Sequence, residues 1–301
     1  MIKTTDESFV SRLTKDPLNA LLHLQYAIHS LKNNQLYLSF AELKTAEFLG
    51  IDGIDIQEFK NVLLSSMPQS EIMNHNQYFR FKSLASELNY RSENNNFTVL
   101  DVGGGMGELA SFIPEASYCL AEPTVNGISG TSLPFIDHSF DYVVSCHVLE
   151  HIPVEDRRLF LDQLLSKSKY GLVLLNPFNI DGTHVDDRLK LVIEVTGAEW
   201  AKEHLECTLP RIEDIEDYAK DKQLQVSIKS NGTLTTALAL VFVDHFAEKC
   251  ASKSDWEKVN KFFNMQFDAN VLNSDRYPIG YLVYLSWPEK PDGEFGSLGS
   301  K

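Results

Sequence analysis

A run of glycines behind an acidic residue is the part of the sequence best suited to hold a ligand. Asp101 ends an apolar segment and is followed by Gly103, Gly104, Gly105 and Gly107, in the pattern D-x-G-x-G-x-G. Glycine lets the backbone approach a ligand closely and adopt positive φ, and the first amides of a following helix provide unpaired donors. A buried strand that turns sharply into a helix at this point would therefore bind a nucleotide-like ligand.

The spacing of these glycines argues against a dinucleotide. A dinucleotide-binding turn has the pattern G-x-G-x-x-G, and counting from Gly103 and Gly105 places Glu108 where the third glycine should stand. A second apolar run, residues 118–121, ends in Glu122. At the end of a second parallel strand, this carboxylate would reach the hydroxyls of a ribose.

The segments around Asp101 and Glu122, together with residues 133–153 (LPFIDHSFDYVVSCHVLEHIP), resemble the class I S-adenosylmethionine-dependent methyltransferases. The resemblance covers about residues 74–180. Within the family, this part of the chain is similar to the type 11-like methyltransferases. The terminal regions are similar to bacterial methyltransferases of surface-glycan biosynthesis. This likeness implies an α/β fold with a Rossmann-like, mostly parallel sheet of the seven-stranded type flanked by helices, and S-adenosylmethionine as cofactor.

The resemblance also implies which residues contact the cofactor. They are Asp101, Gly103, Gly104, Gly105, Gly107, Glu122, Pro123, Ser129, Thr131, Ser145, Tyr78 and Arg80. Tyr78 and Arg80 precede the first strand, where the family turns aromatic and basic side chains toward the methionine end of the cofactor. The alternative is that Tyr78 belongs to the core and Arg80 to the solvent. Ser129 and Thr131 stand where many relatives carry an acid for adenine, so adenine recognition is expected from backbone groups, a hydroxyl or packing.

Three histidines are candidates for the catalytic base. If the acceptor is a hydroxyl, a base should remove its proton, which contributes about 10²- to 10⁴-fold, and histidine titrates near neutral pH. His147 and His151 follow the predicted strand at residues 140–145, and His184 lies in the loop after the next strand. His151 belongs to the Leu-Glu-His sequence of the family, where bracing the loop is an alternative role, so His147 and His184 are preferred. The remaining histidines are interpreted as ordinary surface or core residues.

Composition excludes several classes of partner. The formal charge of −15 argues against a nucleic-acid backbone or an anionic membrane as the main partner. The longest apolar runs are well short of the roughly 20 residues that span a bilayer, so no membrane insertion is predicted. The cysteines are scattered without paired spacing, and no apolar leader is evident. These features predict a cytoplasmic protein.

Three regions are predicted to position the site. Residues 1–95 read as a helical region, with a hairpin followed by a cofactor-covering helix. Residues 96–290 form the class I methyltransferase domain, and residues 291–301 are a flexible tail or cloning remnant. The hairpin is expected to serve as a helical cap or as the surface of a homodimer. A peptide-binding tetratricopeptide-like unit is the alternative, although no second copy of the repeat is evident.

The predicted function is S-adenosylmethionine-dependent methyl transfer to a small-molecule or sugar-containing acceptor, by O-methylation. A quinone or another aromatic metabolite is the alternative acceptor. A protein of a different class, a cofactor-binding scaffold without turnover, is also consistent with the missing adenine acid. The H-x-D-D pattern of His184, Asp186 and Asp187 is too unspecific to indicate a metal, so no metal site is predicted.

Overall fold

The computed structural model describes residues 3–51, 55–92, 96–179, 185–266 and 278–288. Within these ranges a single sheet runs through the molecule. Its strands are β1 (Thr98–Val102), β2 (Ser117–Ala121), β3 (Phe140–Cys146), β4 (Ser168–Asn176), β5 (Gln225–Asn231) and β6 (Gly280–Ser286). The strand order is β2-β1-β3-β4-β6-β5, with the first four strands parallel to one another and β6 antiparallel to both of its neighbours.

Helices cover both faces of this sheet. They are α1 (Lys3–Lys15), α2 (Ala20–Lys32), α3 (Leu36–Phe48), α4 (Gln57–Ser66), α5 (His75–Arg91), α6 (Arg157–Lys167), α7 (Val185–Thr196), α8 (Glu199–Glu206), α9 (Ile212–Asp221), α10 (Leu234–Cys250) and α11 (Lys253–Met265). The predicted α/β class with a mostly parallel, Rossmann-like sheet is confirmed. Within the described ranges, every helix is either too short or too polar to cross a lipid bilayer.

The core divides into two layers because successive strand residues point to opposite faces. Val99 of β1 packs into a cluster with residues of α2, α3 and α5. The next residue, Leu100, packs into a second cluster with residues of α6 and α9. The N-terminal helices therefore share one hydrophobic core with the sheet. Helices α7, α8 and α10 form a smaller cluster of their own.

The described part of the sheet has six strands, whereas the predicted type has seven. After β2 the chain runs through turns and loops from Glu122 to Ser139 before β3 begins. This segment is too short for the usual helix and strand, as the sequence indicates. Strand β2 is consequently the edge of the sheet.

Helix α3 covers this edge in place of a further strand. The amide of Leu120 donates to Thr45 Oγ1 at 3.0 Å, and the carbonyl of Leu120 accepts from Asn126 Nδ2 at 2.9 Å. Lys44 Nζ donates to the carbonyls of Pro114 and Ala116, each at 2.7 Å. These side chains satisfy buried backbone groups that would otherwise lack partners. The N-terminal hairpin is therefore built into the sheet edge beside the glycine turn.

Candidate functional site

Parallel strands bring the predicted site segments to one edge of the sheet. β1 leads into the glycine turn, β2 into Glu122, and β3 into His147. Ligands of open parallel sheets lie outside the carboxyl ends of the strands, where the strand order reverses. In this sheet the reversal lies between β1 and β3, which pair directly although β2 separates them in sequence. The two predicted centres, the glycine turn and the histidine segment, therefore lie on either side of this point.

Glycine is required in the turn by its backbone angles and by close packing. Gly105 has φ of +58° and Gly107 has φ of +79°, both in the left-handed region that L side chains avoid. A Cβ on Gly107 would lie 2.2 Å from the Cβ of Ala41 on α3, whereas the space around Gly105 is open apart from Glu108 Oε2 at 3.7 Å. The turn is therefore fixed from below by α3 and is open to solvent at Gly105.

Glu122 is turned toward the glycine turn. Its Oε2 accepts from the amide of Gly105 at 3.3 Å, and its Oε1 accepts from Thr124 Oγ1 at 2.7 Å and from the Thr124 amide at 3.1 Å. The amide of Glu122 itself donates to Asn126 Oδ1 at 3.0 Å. Pro123 is exposed beside it. The carboxylate thus stands at the rim of the turn.

Asp101 lies beneath the turn. Its Oδ2 accepts from the hydroxyl of Tyr118 at 2.7 Å, and a Cβ on Gly104 would lie 2.4 Å from the same oxygen. Burial raises the pKa of Asp101 to about 7, although the Tyr118 hydrogen bond opposes this shift. Asp101 is only 1% exposed, so its carboxyl orders the turn from inside the protein and does not face a ligand.

The other predicted cofactor residues are spread over three places. Ser129 and Thr131 lie in the loop after β2, and their hydroxyl oxygens are 3.0 Å apart. The hydroxyl of Ser145 is buried in β3 without a hydrogen-bond partner. Tyr78 and Arg80 lie on α5, but residues two apart on a helix do not share a face. Tyr78 is 5% exposed and packs edge-on against Phe112, with ring centroids 5.5 Å apart.

Arg80 lines two neighbouring cavities beyond the strand ends. A small cavity of about 60 Å³ is bounded by Arg80, His147, Arg188, His204 and neighbouring apolar side chains. A larger cavity of about 430 Å³ adjoins it between α5, α8 and α10 and shares Arg80 and His204 with it. Neither cavity is lined by the glycine turn. The candidate site consequently has one side exposed at the glycine turn and a second, more enclosed side beyond β3 and β4.

His147 is positioned by two neighbours, Leu175 and Glu150. Its amide donates to the carbonyl of Leu175 at 2.8 Å, and its backbone has φ of +57°, which is unusual for a residue with a side chain. Its Nδ1 lies 3.3 Å from Glu150 Oε1. Glu150 is fixed in turn, because its Oε2 accepts from Asn176 Nδ2 at 2.7 Å. Asn176 is the last residue of β4, so two adjacent strands fix the imidazole.

The surroundings of His147 and Glu150 determine which of the two side chains is charged. Burial and the nearby positive charge of Arg80 lower the pKa of His147 to about 4. Burial alone would raise the pKa of Glu150, but its contact with His147 and the hydrogen bond from Asn176 outweigh this and lower the pKa. At neutral pH the imidazole is therefore neutral and the carboxylate charged, which leaves the imidazole free to accept a proton.

The structure places two other histidines, His151 and His204, differently from what the sequence indicated. His151 is exposed, and its Nδ1 lies 3.4 Å from Cys207 Sγ. His204, interpreted from sequence as an ordinary residue, lines both cavities beside His147, and its Nδ1 bonds to the Trp200 carbonyl at 2.8 Å. The sequence did not indicate this position, because a residue in α8 reaches the cavities through tertiary packing alone. His184 lies outside the described residues.

Three ligand-type side chains meet closely enough to raise the question of a metal. One atom each of His147, Glu150 and His204 lie within 4.8 Å of one another. However, burial lowers the pKa values of His147 and His204, and the positive charge of Arg80 lowers them further. The same charge would repel a cation, so the cluster is not assigned as a metal site.

Sequence reasoning missed four contributors to the enclosed side, namely Glu150, Asn176, Arg188 and His204. Glu150 lies inside the Leu-Glu-His sequence and Asn176 directly follows a buried apolar run, so both carried a positional signal. Arg188 and His204 carried none, because nothing in the sequence shows that α7 and α8 fold back over β3 and β4.

Comparisons with known proteins identify the family of the chain. A family model described as a methyltransferase domain matches residues 75–227, just over half of the 301-residue chain. A comparison with curated protein sequences found no match. Solved structures with a similar fold include the YcgJ protein from Bacillus subtilis, with 14% identity, a TM-score of 0.40 and coverage of 69% of this chain and 99% of that chain. A phosphoethanolamine N-methyltransferase 2 from Haemonchus contortus has 13% identity, a TM-score of 0.43 and coverage of 69% and 52%. The magnesium protoporphyrin IX methyltransferase from Synechocystis has 13% identity, a TM-score of 0.41 and coverage of 81% and 89%.

Proposed function

The chain belongs to the methyltransferase-domain family and is an S-adenosylmethionine-dependent methyltransferase, and on that premise we propose that it methylates a hydroxyl of a small molecule. In this proposal the glycine turn and Glu122 hold the cofactor. The two neighbouring cavities hold the acceptor, and His147 accepts the proton of the acceptor hydroxyl. The observation that carries the proposal is the neutral, part-buried imidazole of His147, whose Nδ1 lies 3.3 Å from Oε1 of the buried Glu150 at the end of β3.

The residues around the glycine turn fit the cofactor. Gly105 is exposed with open space where a side chain would stand, so a ligand can approach its backbone. The two oxygens of Glu122 lie at the rim of the turn and suit a pair of ribose hydroxyls. The hydroxyls of Ser129 and Thr131, with neighbouring backbone groups, are the proposed contacts for adenine. When bound, S-adenosylmethionine supplies an electrophilic methyl group for in-line displacement.

The chain's own contribution to the chemistry is positioning and proton transfer. The enclosed cavities hold the acceptor near the carboxyl ends of β3 and β4, and such positioning lowers the barrier by several kcal/mol. The Nδ1 side of the His147 ring faces Glu150, which leaves Nε2 as the atom that accepts the acceptor proton. The Glu150 carboxylate stabilises the imidazolium formed in this step, and Asn176 keeps the carboxylate in place. General-base catalysis of this kind contributes about 10²- to 10⁴-fold.

The lining of the larger cavity bears on the class of acceptor. Asn74, Asn76, Thr233 and Thr236 contribute polar groups, and Trp200 contributes an aromatic wall. The polar groups support a hydroxyl-bearing acceptor such as a sugar-containing molecule, which remains a prediction. The aromatic wall supports the alternative, a quinone or another aromatic metabolite. A homodimer through the N-terminal helices also remains a prediction, supported by the exposed Leu21 of α2.

A methyl-labelled cofactor tests the proposal directly. The protein is incubated with ¹³C-methyl S-adenosylmethionine and panels of sugar-containing, phenolic and quinone acceptors, and the products are read by NMR. A label bound to oxygen, formed together with S-adenosylhomocysteine, is the expected result. A label bound to carbon or nitrogen would contradict O-methylation while leaving the family assignment intact.

A further inference from the structure

Two guanidinium groups meet in the smaller cavity. Arg80 comes from α5, ahead of the first strand, and Arg188 comes from the first turn of α7. Both line the same space of about 60 Å³, together with His147 and His204. A water molecule occupies about 30 Å³ of liquid, so this space has the size of a small polar group. The remaining wall is largely apolar and includes Leu189, Val192 and Ile279.

The positive charges in this cavity exceed the negative ones. Arg80 Nε is buried without a hydrogen-bond partner. Among the described residues, the carboxylate that acts on Arg80 is Glu150, which already binds Asn176 and lies against His147. Within the described residues, the charged group that acts on Arg188 is Arg80. The two positive charges repel each other. Burial lowers the pKa values of both arginines.

Such a pair is costly without an anion. Arginine stays charged in proteins, and a buried charge without a counter-ion is strongly unfavourable. Guanidinium groups bind carboxylate and phosphate oxygens through paired N–H donors, and these charge-assisted bonds are the strong ones. A ligand that brings a negative charge into the cavity would remove the repulsion and fill the vacant donors.

We propose that Arg80 and Arg188 together bind a carboxylate or phosphate group of the methyl acceptor, beside His147. This inference rests on the proposed function, because it takes the two cavities to be the acceptor site. The anionic group occupies the small cavity, and the rest of the acceptor extends into the larger one, whose volume of about 430 Å³ is typical of small-molecule sites. The proposal makes the substrate class an anionic small molecule with a methylatable hydroxyl.

Binding of simple anions tests the proposal without requiring turnover. Protein saturated with S-adenosylhomocysteine is titrated by calorimetry with benzoate and phenyl phosphate, and with their neutral counterparts benzamide and benzyl alcohol, at constant ionic strength. At least one anion should bind more tightly than its neutral counterpart. Which anion binds distinguishes a carboxylate-bearing acceptor from a phosphate-bearing one. Equal binding of charged and neutral probes, or no binding of either anion, would overturn the proposal.

Arginine variants identify the groups responsible. Arg80→Gln and Arg188→Gln should each weaken anion binding by about 10- to 100-fold, the usual effect of losing charge-assisted hydrogen bonds. The control is Lys190→Gln, an exposed cation on the same helix as Arg188, which should leave anion binding unchanged. Arg188→Gln should also leave the melting temperature unchanged or raised, because it removes a desolvated charge on which, among the described residues, the charge of Arg80 acts repulsively. Unchanged anion binding in Arg188→Gln, or a clear loss of thermal stability, would contradict the inference.

The same variants separate this inference from its alternatives. If Arg80 binds the cofactor carboxylate, Arg80→Gln will weaken S-adenosylhomocysteine binding while Arg188→Gln will not, and the paired role is overturned. The proposal expects cofactor affinity to be unchanged in both. If anion binding depends on both arginines but His147→Gln keeps full turnover, the proposed base is wrong and the anion site stands.

Discussion

The two sides of the site are constructed in different ways. The cofactor side consists of the glycine turn and Glu122, which are close in the sequence and are connected by the hydrogen bond that the Gly105 amide donates to Glu122 Oε2. The acceptor side draws on α5, β3, β4, α7, α8 and α10, from Asn76 to Ile279. The cofactor side is exposed at Gly105, and the acceptor side is enclosed.

This contrast relates to what each side has to recognise. A binding site that consists of backbone amides and one carboxylate can be encoded by a short local motif. Its geometry follows from the glycine conformations and the direction of the strands. An acceptor pocket built from distant side chains can change by altering α7, α8 or α10 without disturbing the turn. The following predictions test whether the two sides can be perturbed separately.

The largest effect is expected on the acceptor side at His147. His147→Gln should lower kcat by about 10²- to 10⁴-fold, because it removes the proton acceptor while keeping a polar side chain of similar length. Affinity for S-adenosylhomocysteine, measured by calorimetry, should be unchanged. His151→Gln is the matched control, since His151 is exposed and lines neither cavity, and should stay near wild-type activity. Equal losses in both variants would point to a disturbed loop and against a base.

The next effect is expected on the cofactor side at Glu122. Glu122→Ala should weaken S-adenosylmethionine binding by about 10- to 100-fold, because each lost charged hydrogen bond is worth about 1.5–3 kcal/mol. The melting temperature should change little, since the carboxylate is part-exposed at the rim. Glu155→Ala removes an exposed acid elsewhere and should leave binding as it is. An unaltered dissociation constant in Glu122→Ala would remove this residue from the cofactor site.

A smaller effect is expected where α3 supports the cofactor side. Thr45→Val removes the acceptor for the Leu120 amide and keeps the side-chain shape. Leaving this buried donor unsatisfied should lower the free energy of unfolding by about 1–3 kcal/mol, as measured by denaturant titration. Thr235→Val, an exposed position on α10, should change it by about 0.5 kcal/mol or less. Equal stability of the two variants would mean that the sheet edge does not depend on α3.

The smallest effect is expected in the pH dependence of the acceptor side. The pKa of His147 is lowered from the ordinary value near 6.5 to about 4, so kcat/KM should fall only as the pH drops toward about 4. The folded protein also binds fewer protons than the unfolded chain between these two values. This group therefore makes stability decrease as the pH falls through that window. Arg80→Gln should move the acid limb to higher pH, because the Arg80 charge helps to lower this pKa. A wild-type limb near 6.5 would show that the base is an ordinary exposed histidine.

Part of the fold could be predicted from the sequence. The predicted strand at 140–145 matches β3 within a residue. Periodicity and glycine placement determine such elements locally. The position of Glu122 beside Gly105 could also be anticipated, because parallel strands end at the same edge of a sheet. Tyr78 and Arg80 were paired in the prediction, but residues two apart on a helix point to different faces.

The sequence alone determined the α/β class, the glycine turn and the acid that faces it, because each depends on neighbouring residues and strand direction. The tertiary structure decided which histidine lies beside the buried Glu150, that α3 closes the edge of β2, and that Arg80 and Arg188 share one cavity. The two arginines are more than 100 residues apart in the sequence, and α3 and β2 are also distant from each other along the chain. The environment of these residues, and with it their charge and chemistry, exists only after the helices have packed over the ends of the strands.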